Sequence, residues 1–136
     1  MMSDLSRFVE AQKRDYLTAL SEIRSGRKYS HWMWYIFPQI AGLGFSSTAQ
    51  YYAIRDIEEA EDFINDPYLG QNLIEICEAL LDNPSDDPLY VMGYPDNLKL
   101  RSCMTLFREV SDNPIFDKVL GKYFAGNPDE NTLNLI

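Results

Sequence analysis

One histidine and two cysteines are all that this chain holds of the imidazole and thiolate ligands that build structural zinc sites. A structural zinc site takes four such ligands, commonly from Cys-x-x-Cys pairs, whereas Cys77 and Cys103 stand alone and far apart in the sequence. No metal is therefore expected. Neither the lysine-serine step of a P-loop nor the third glycine of a dinucleotide fingerprint follows Gly42-Leu43-Gly44, so the sequence gives no reason to expect a cofactor. Basic residues are also scarce, with 12 Lys and Arg against 21 Asp and Glu and a net charge of −9. That balance argues against nucleic acid, whose binders neutralise phosphates with cations, and against anionic membrane surfaces. The acidity has a plainer use in keeping the protein soluble.

Long apolar runs are missing too. The N-terminus, MMSDLSRFVEAQ, is polar and amphipathic and does not resemble a signal peptide. Both cysteines fall within apolar helical patterns, which suits reduced thiols better than a disulfide, and a cytoplasmic location is expected. Internal repeats, linkers and low-complexity tracts are absent. What remains is an ordinary folding composition, 46% hydrophobic and 24% charged, in 136 residues. A chain of that length buries about two-thirds of its unfolded surface without staples. One helical domain over residues 4–136 is the expectation.

Helical spacing dominates the chain. Leu5, Phe8, Val9, Gln12, Tyr16, Leu20 and Ile23 trace one face from Asp4 to Ser25, and Gly26 supplies the stop. Arg24, Arg27 and Lys28 surround that C-terminus, where positive charge complements the helix dipole. Ser30 is placed to cap a short helix from His31 to Phe37, ended by Pro38, with Gly42 and Gly44 allowing a tight turn. Tyr51, Tyr52 and Ile54 read as a brief extended piece. Asp56 and Glu59 have capping-box spacing for a helix to Ile64, and Asn65-Asp66-Pro67 breaks it before another helix from Pro67 to Leu81.

Residues 82–88 form a loop by composition, and Leu89 to Met92 are a turn of helix or a strand. Asp96 is positioned to cap a helix from Asn97 to Val110 with Leu100, Cys103, Met104, Phe107 and Val110 inward. Asn113-Pro114 opens the next helix, Gly126 closes it, and Asp129 starts a last turn. About six or seven helices with short joins and no alternating strands make an all-α, compact multihelical domain.

The stretch from Ser30 to Ser47 holds both tryptophans, the only histidine and the Gly-Leu-Gly turn. With its neighbours it carries a resemblance. RFVEAQ from Arg7, SGRKYSHWMWYIFPQ from Ser25, GLGFS from Gly42, YAIRDIEEA from Tyr52, DPYLG from Asp66, DNLKLRSCMTLF from Asp96 and PDENTL from Pro128 occur in this order. In these blocks the chain resembles the bacterial and fungal family called domain of unknown function eighteen-ten, sometimes labelled calpastatin-like. The resemblance implies a mainly helical fold and no established activity. Calpastatin itself is disordered, unlike a chain of this core-forming composition.

Chemistry has few places to sit. Histidine ordinarily titrates near neutrality, so His31 is the one candidate proton carrier of that kind, unless it only bridges neighbouring elements. In a helix His31, Trp34 and Tyr35 share a face while Trp32 points elsewhere into the core, and an aromatic ligand can stack on such a face. The turn at Gly44 and Ser46 can present backbone N–H groups to an anion, or can simply be a turn. Lys99 and Arg101 on the opening turns of their helix can hold phosphate or stay solvated, with Thr105 sharing the Arg101 face. Cys103 fits an inward stripe better than a dyad with His31, and Glu58, Glu59, Glu61 and Asp62 read as a solvated face.

Two functions follow. The first is a module binding or processing a small anionic or aromatic ligand, of nucleotide or ADP-ribose type, between the His31–Ser47 segment and the helix after Asp96. In its enzymatic version His31 is the proton carrier and Trp34 the stacking wall, Lys99 and Arg101 hold phosphate, Gln39 and Ser46 orient the ligand, and Tyr35, Gly44 and Thr105 are further ligand contacts. The alternative is a non-catalytic module for protein interaction or self-association through exposed aromatics. A cleft lined by His31, Trp34 and Lys99 favours the first, and a flat aromatic patch favours the second.

Overall fold

Side-chain caps decide where most of these helices begin. In the computed structural model, which describes residues 3–136, Met1 and Met2 of the polar N-terminal stretch lie outside the described residues. Helix α1 spans Ser6–Ser25 and ends through Gly26 at φ 119°, a left-handed conformation that glycine adopts without a Cβ penalty. It buries Phe8, Gln12, Tyr16, Leu20 and Ile23, the stripe expected from spacing. The next two helices are α2, Met33–Ile36, and α3, Ser47–Tyr52. Helix α2 is shorter than the sequence suggests, because Ser30 does not cap it and His31 and Trp32 precede it. Helix α3 replaces the expected extended piece at Tyr51 and Tyr52, since the Ser46 hydroxyl accepts the Ala49 N–H at 3.1 Å and starts a helical turn. Only Ile54 is extended, in an isolated parallel bridge with Ile40.

Asp56 caps α4, Ile57–Asn65, by accepting the Glu59 N–H at 2.9 Å. Asp66 then ends α4 and caps α5, Pro67–Asp82, accepting the N–H groups of Tyr68 and Leu69, with Pro67 in the first turn where its missing donor costs nothing. Residues 89–92, open between helix and strand by sequence, fall in α6, Pro88–Met92, which starts one residue inside the expected loop and is capped by Asp87. Helix α7, Asp96–Val110, includes Asp96 instead of being capped by it, because that carboxylate pairs with Lys28 at 2.8 Å. The last two are α8, Ile115–Phe124, with the Asn113 side chain accepting the Ile115 N–H, and α9, Glu130–Leu135, capped by Asp129. Nine helices and no strand are thus found among the described residues, the surplus over about six or seven coming from short turns such as α3 and α6.

Helix α5 packs against α1, α4 and α8, while α7 packs against α4, α6, α8 and α9. Four phenylalanines join them: Phe8 to Phe63, Phe63 to Phe107 and Phe107 to Phe116 have ring centroids 5.1, 5.4 and 5.9 Å apart. Such edge-on and tilted contacts add to plain burial. Helix α7 is buried on more than one side, at Leu100, Ser102, Cys103, Met104, Thr105, Leu106 and Phe107. Its N-terminal turns reach the surface beside α2 and the turn around Gly44. No described helix is long and apolar enough to cross a membrane.

Candidate functional site

The aromatic segment is held by an acid from α1. Glu22 accepts the N–H groups of Tyr29 and Ser30 at 2.7 and 2.8 Å, the Ser30 hydroxyl at 2.5 Å and the Trp32 indole N–H at 3.0 Å. Burial works to raise its pKa, yet the hydrogen bonds from Ser30, Tyr29 and Trp32 outweigh that and hold it below the ordinary carboxylate value. Trp32 is thereby drawn into the core at 1% exposure, as its place off the His31 face leads one to expect. Lys28 completes the anchor, donating to the Ser30 carbonyl and pairing with Asp96 on α7. These contacts tie residues 28–32 to both α1 and α7.

Between this segment and α7 lies a cleft of about 370 Å³, lined by Tyr29, His31, Trp34, Tyr94 and Lys99 among others. His31 is exposed, and no hydrogen bond among the described residues orients its imidazole; its backbone carbonyl faces the Tyr35 hydroxyl at 3.4 Å. Trp34 is half-buried, with the Lys99 ammonium 5.5 Å from its ring centroid. Lys28 is committed to Asp96, whereas Lys99 stands 3.8 Å from the same carboxylate, beyond hydrogen-bond distance. Lys99 therefore keeps donors to offer within this cleft.

A second depression of about 300 Å³ adjoins the first and shares Pro95 and Lys99 with it. Gln39, Gly44, Arg101, Asp129 and Asn131 line it. Gln39 and Gly44 also border a crevice of about 10 Å³ behind Trp34, room for one water at most. The bridge between Ile40 and Ile54, with Ala41 N–H donating to the Ile54 carbonyl and Ile54 N–H to that of Gln39, sets the course of this loop. Gly44 must pass close to α3, because a Cβ there would stand 2.6 Å from that of Ala49.

The structure thus brings His31, Trp34 and Lys99 to one cleft and Gln39, Gly44, Lys99 and Arg101 to its neighbour. His31 and Arg101 line different depressions. Arg101 is engaged within the protein, donating to the carbonyls of Asn127 and Pro128 at 2.9 and 3.0 Å. Thr105 is fully buried, donating to the Arg101 carbonyl and accepting the Asp129 N–H, so it joins α7 to α9 and lines neither depression. Ser46 is occupied as the cap of α3. Tyr35 turns inward at 4% exposure, its hydroxyl donating to Asp15 and its ring 5.0 Å from that of Tyr52. Burial, then the Asp15 hydrogen bond, raises the Tyr35 pKa against the opposing effect of Arg14. The helical-face argument failed for Tyr35 because α2 is a single turn and His31 lies outside it.

Cys103 is fully buried and its thiol pKa is pushed well up by burial, which removes it as a partner for His31. Among the described residues no three His, Cys, Asp or Glu side chains gather as a metal-holding group. Glu59 departs from the expected solvated face. It is fully buried and pairs with Arg7 at 2.7 Å. Sequence reasoning passed over Tyr29, Tyr94, Asp129 and Asn131 as site residues, and over Glu22 as an anchor. The exposed aromatics beside Lys28 and Pro95 were the available signal for the first two; nothing local marked the others.

All-α single-domain architecture with a cation-bearing surface cleft is the class of protein this describes. The chain belongs to the family described as Protein of unknown function (DUF1810), whose model matches residues 2–136. It is similar to the conserved hypothetical protein Rv1873 from Mycobacterium tuberculosis, known from a crystal structure, at 41% identity and a TM-score of 0.95. That match covers 98% of this chain and 96% of the other. Comparison with curated proteins found no match.

Proposed function

We propose that the cleft between residues 29–34 and α7 binds a small anionic ligand with an aromatic ring, of nucleotide or ADP-ribose type. The observation that carries this reading is the union of Trp34, His31 and Lys99 on one concave wall. Aromatic surfaces offer a ring a stacking face, and a cation with free donors offers a phosphate its counter-charge. A volume of about 370 Å³ lies at the small end of ligand pockets. In a molecule of net charge −9, two lysines, Lys28 and Lys99, set against the carboxylate of Asp96 at this cleft favour an anion there. Within this cleft the phosphate contact falls to Lys99, since Arg101 lines the neighbouring depression and Ser46 caps α3.

In an enzymatic form of this site, His31 protonates a leaving group during hydrolysis of a glycosidic bond, with Trp34 as the stacking wall. Calorimetric titration of AMP and ADP-ribose is the direct test, backed by thermal melts. Ligand at a hundred times its Kd stabilises a protein by about 2.7 kcal/mol, a rise of several degrees in a domain of this size. Lys99→Ala is expected to weaken binding tenfold or more. Absence of any heat or shift with either compound would sink the reading. A second reading rests on Tyr29, Tyr90 and Tyr94, exposed at 70%, 52% and 75%, with Arg27 over the Tyr29 and Tyr90 rings. Such a patch suits self-association, which sedimentation as a dimer would support and a monomer at high concentration would not.

A further inference from the structure

The two adjoining depressions differ in chemistry, and that difference divides a ligand into parts. We infer that the site takes a two-part ligand straddling Lys99, with its ring in the His31 lobe and a hydroxyl-rich second part in the Asp129 lobe. This rests on the reading of the cleft just given and extends it to the neighbouring lobe.

The His31 lobe has aromatic walls in Tyr29, Trp34 and Tyr94 and suits a planar ring. The second lobe is lined by the polar residues Gln39, Asn131 and Asp129 beside the apolar Leu43 and Leu98, the mixed wall that a sugar's hydroxyls and C–H faces require. A carboxylate accepts hydrogen bonds from hydroxyl groups, and carboxamides both donate and accept. Its one arginine is tied to the carbonyls of Asn127 and Pro128. Asp129 receives the Ser102 hydroxyl at 3.2 Å, the Thr132 N–H at 3.0 Å and the Thr132 hydroxyl at 2.6 Å, all on Oδ2. Among the described residues its Oδ1 keeps its acceptor capacity, which suits a sugar hydroxyl.

Lys99 belongs to both lobes and is the cation at their junction. Its ammonium is more than hydrogen-bond distance from Asp96. An anionic linker therefore belongs between the two parts, and Pro95 forms the other wall common to them. Each lobe alone is at the low end of the usual pocket range, whereas the pair suits a ligand with a ring, a phosphate bridge and a sugar.

Titration of the full chain with AMP, ADP and ADP-ribose separates the possibilities, since ADP carries the second phosphate without the second sugar. ADP-ribose is expected to bind at least tenfold more tightly than ADP. Asn131→Ala and Gln39→Ala, checked for unchanged melting temperature, are expected to bring ADP-ribose down to the level of ADP while leaving AMP untouched. If AMP and ADP bind but ADP-ribose gains nothing over ADP, the two-lobe inference falls and the ring site stands. Equal weakening of all three ligands by the variants would also overturn it. If none of the three binds, both readings fall together.

Discussion

Buried charge in this protein is concentrated on Glu59. Its carboxylate takes the Arg7 guanidinium at 2.7 Å and the Arg55 N–H at 2.9 Å, while Arg7 also donates to the Ala53 carbonyl. The pair joins α1 to the start of α4. Removing Arg7 leaves the buried carboxylate only the exposed Arg55 guanidinium, 3.5 Å away, as counter-charge, so Arg7→Ala is expected to cost about 1.5–3 kcal/mol, read from urea denaturation. A cost comparable to that of an exposed ion pair, below about 1 kcal/mol, would contradict this. Glu22 gives a pH signature. Its folded pKa lies below the ordinary 4.5, so its stabilisation is complete above that pH and disappears as pH falls through the depressed value. The difference in melting temperature between wild type and Glu22→Gln should be largest near neutral pH and close in acid. A gap that persists unchanged in acid would remove Glu22 as the titrating anchor.

The helices show where local code suffices and where it does not. Asp56, Asp66, Asp87 and Asp129 each accept a helix N–H, and these acids stand just before the helices they open. Spacing alone located the buried stripe of α1 and the inward Leu100, Cys103, Met104 and Phe107 of α7, because side chains three and four apart share a face whatever lies opposite. It did not foresee α3 or the brevity of α2. Ser30 has the chemistry of a cap, yet Glu22, eight residues earlier, takes its hydroxyl. The α4–α5 corner depends on Gly70, where a Cβ would lie 2.0 Å from the Ile64 carbonyl oxygen. That neighbour is backbone and cannot swing aside. Gly70→Ala, normally favourable inside a helix, should instead destabilise by about 1–3 kcal/mol or more in chemical denaturation. Unchanged stability would show that α4 and α5 can separate freely.

At the scale of the whole molecule the core closes around both thiols. Cys77 and Cys103 are fully buried, and burial raises both pKa values, with Cys77 placed 3.7 Å from the Met104 sulfur. Neither should react with a thiol reagent such as DTNB in the native state at neutral pH, and both should react once denaturant is added. Rapid native labelling would mean that the core opens locally. The sequence by itself determined the all-α class, most helix limits and the inward stripes, because caps, prolines and helical periodicity act within a few residues. It also directed attention to the segment from Ser30 to Ser47. Only the tertiary structure decided that Tyr35 turns inward, that Glu59 is buried, and that Lys99 stands where two depressions meet. Those outcomes arise from contacts between residues distant in the chain, Glu59 with Arg7 and Lys28 with Asp96, and no local pattern encodes which distant partner a side chain will find.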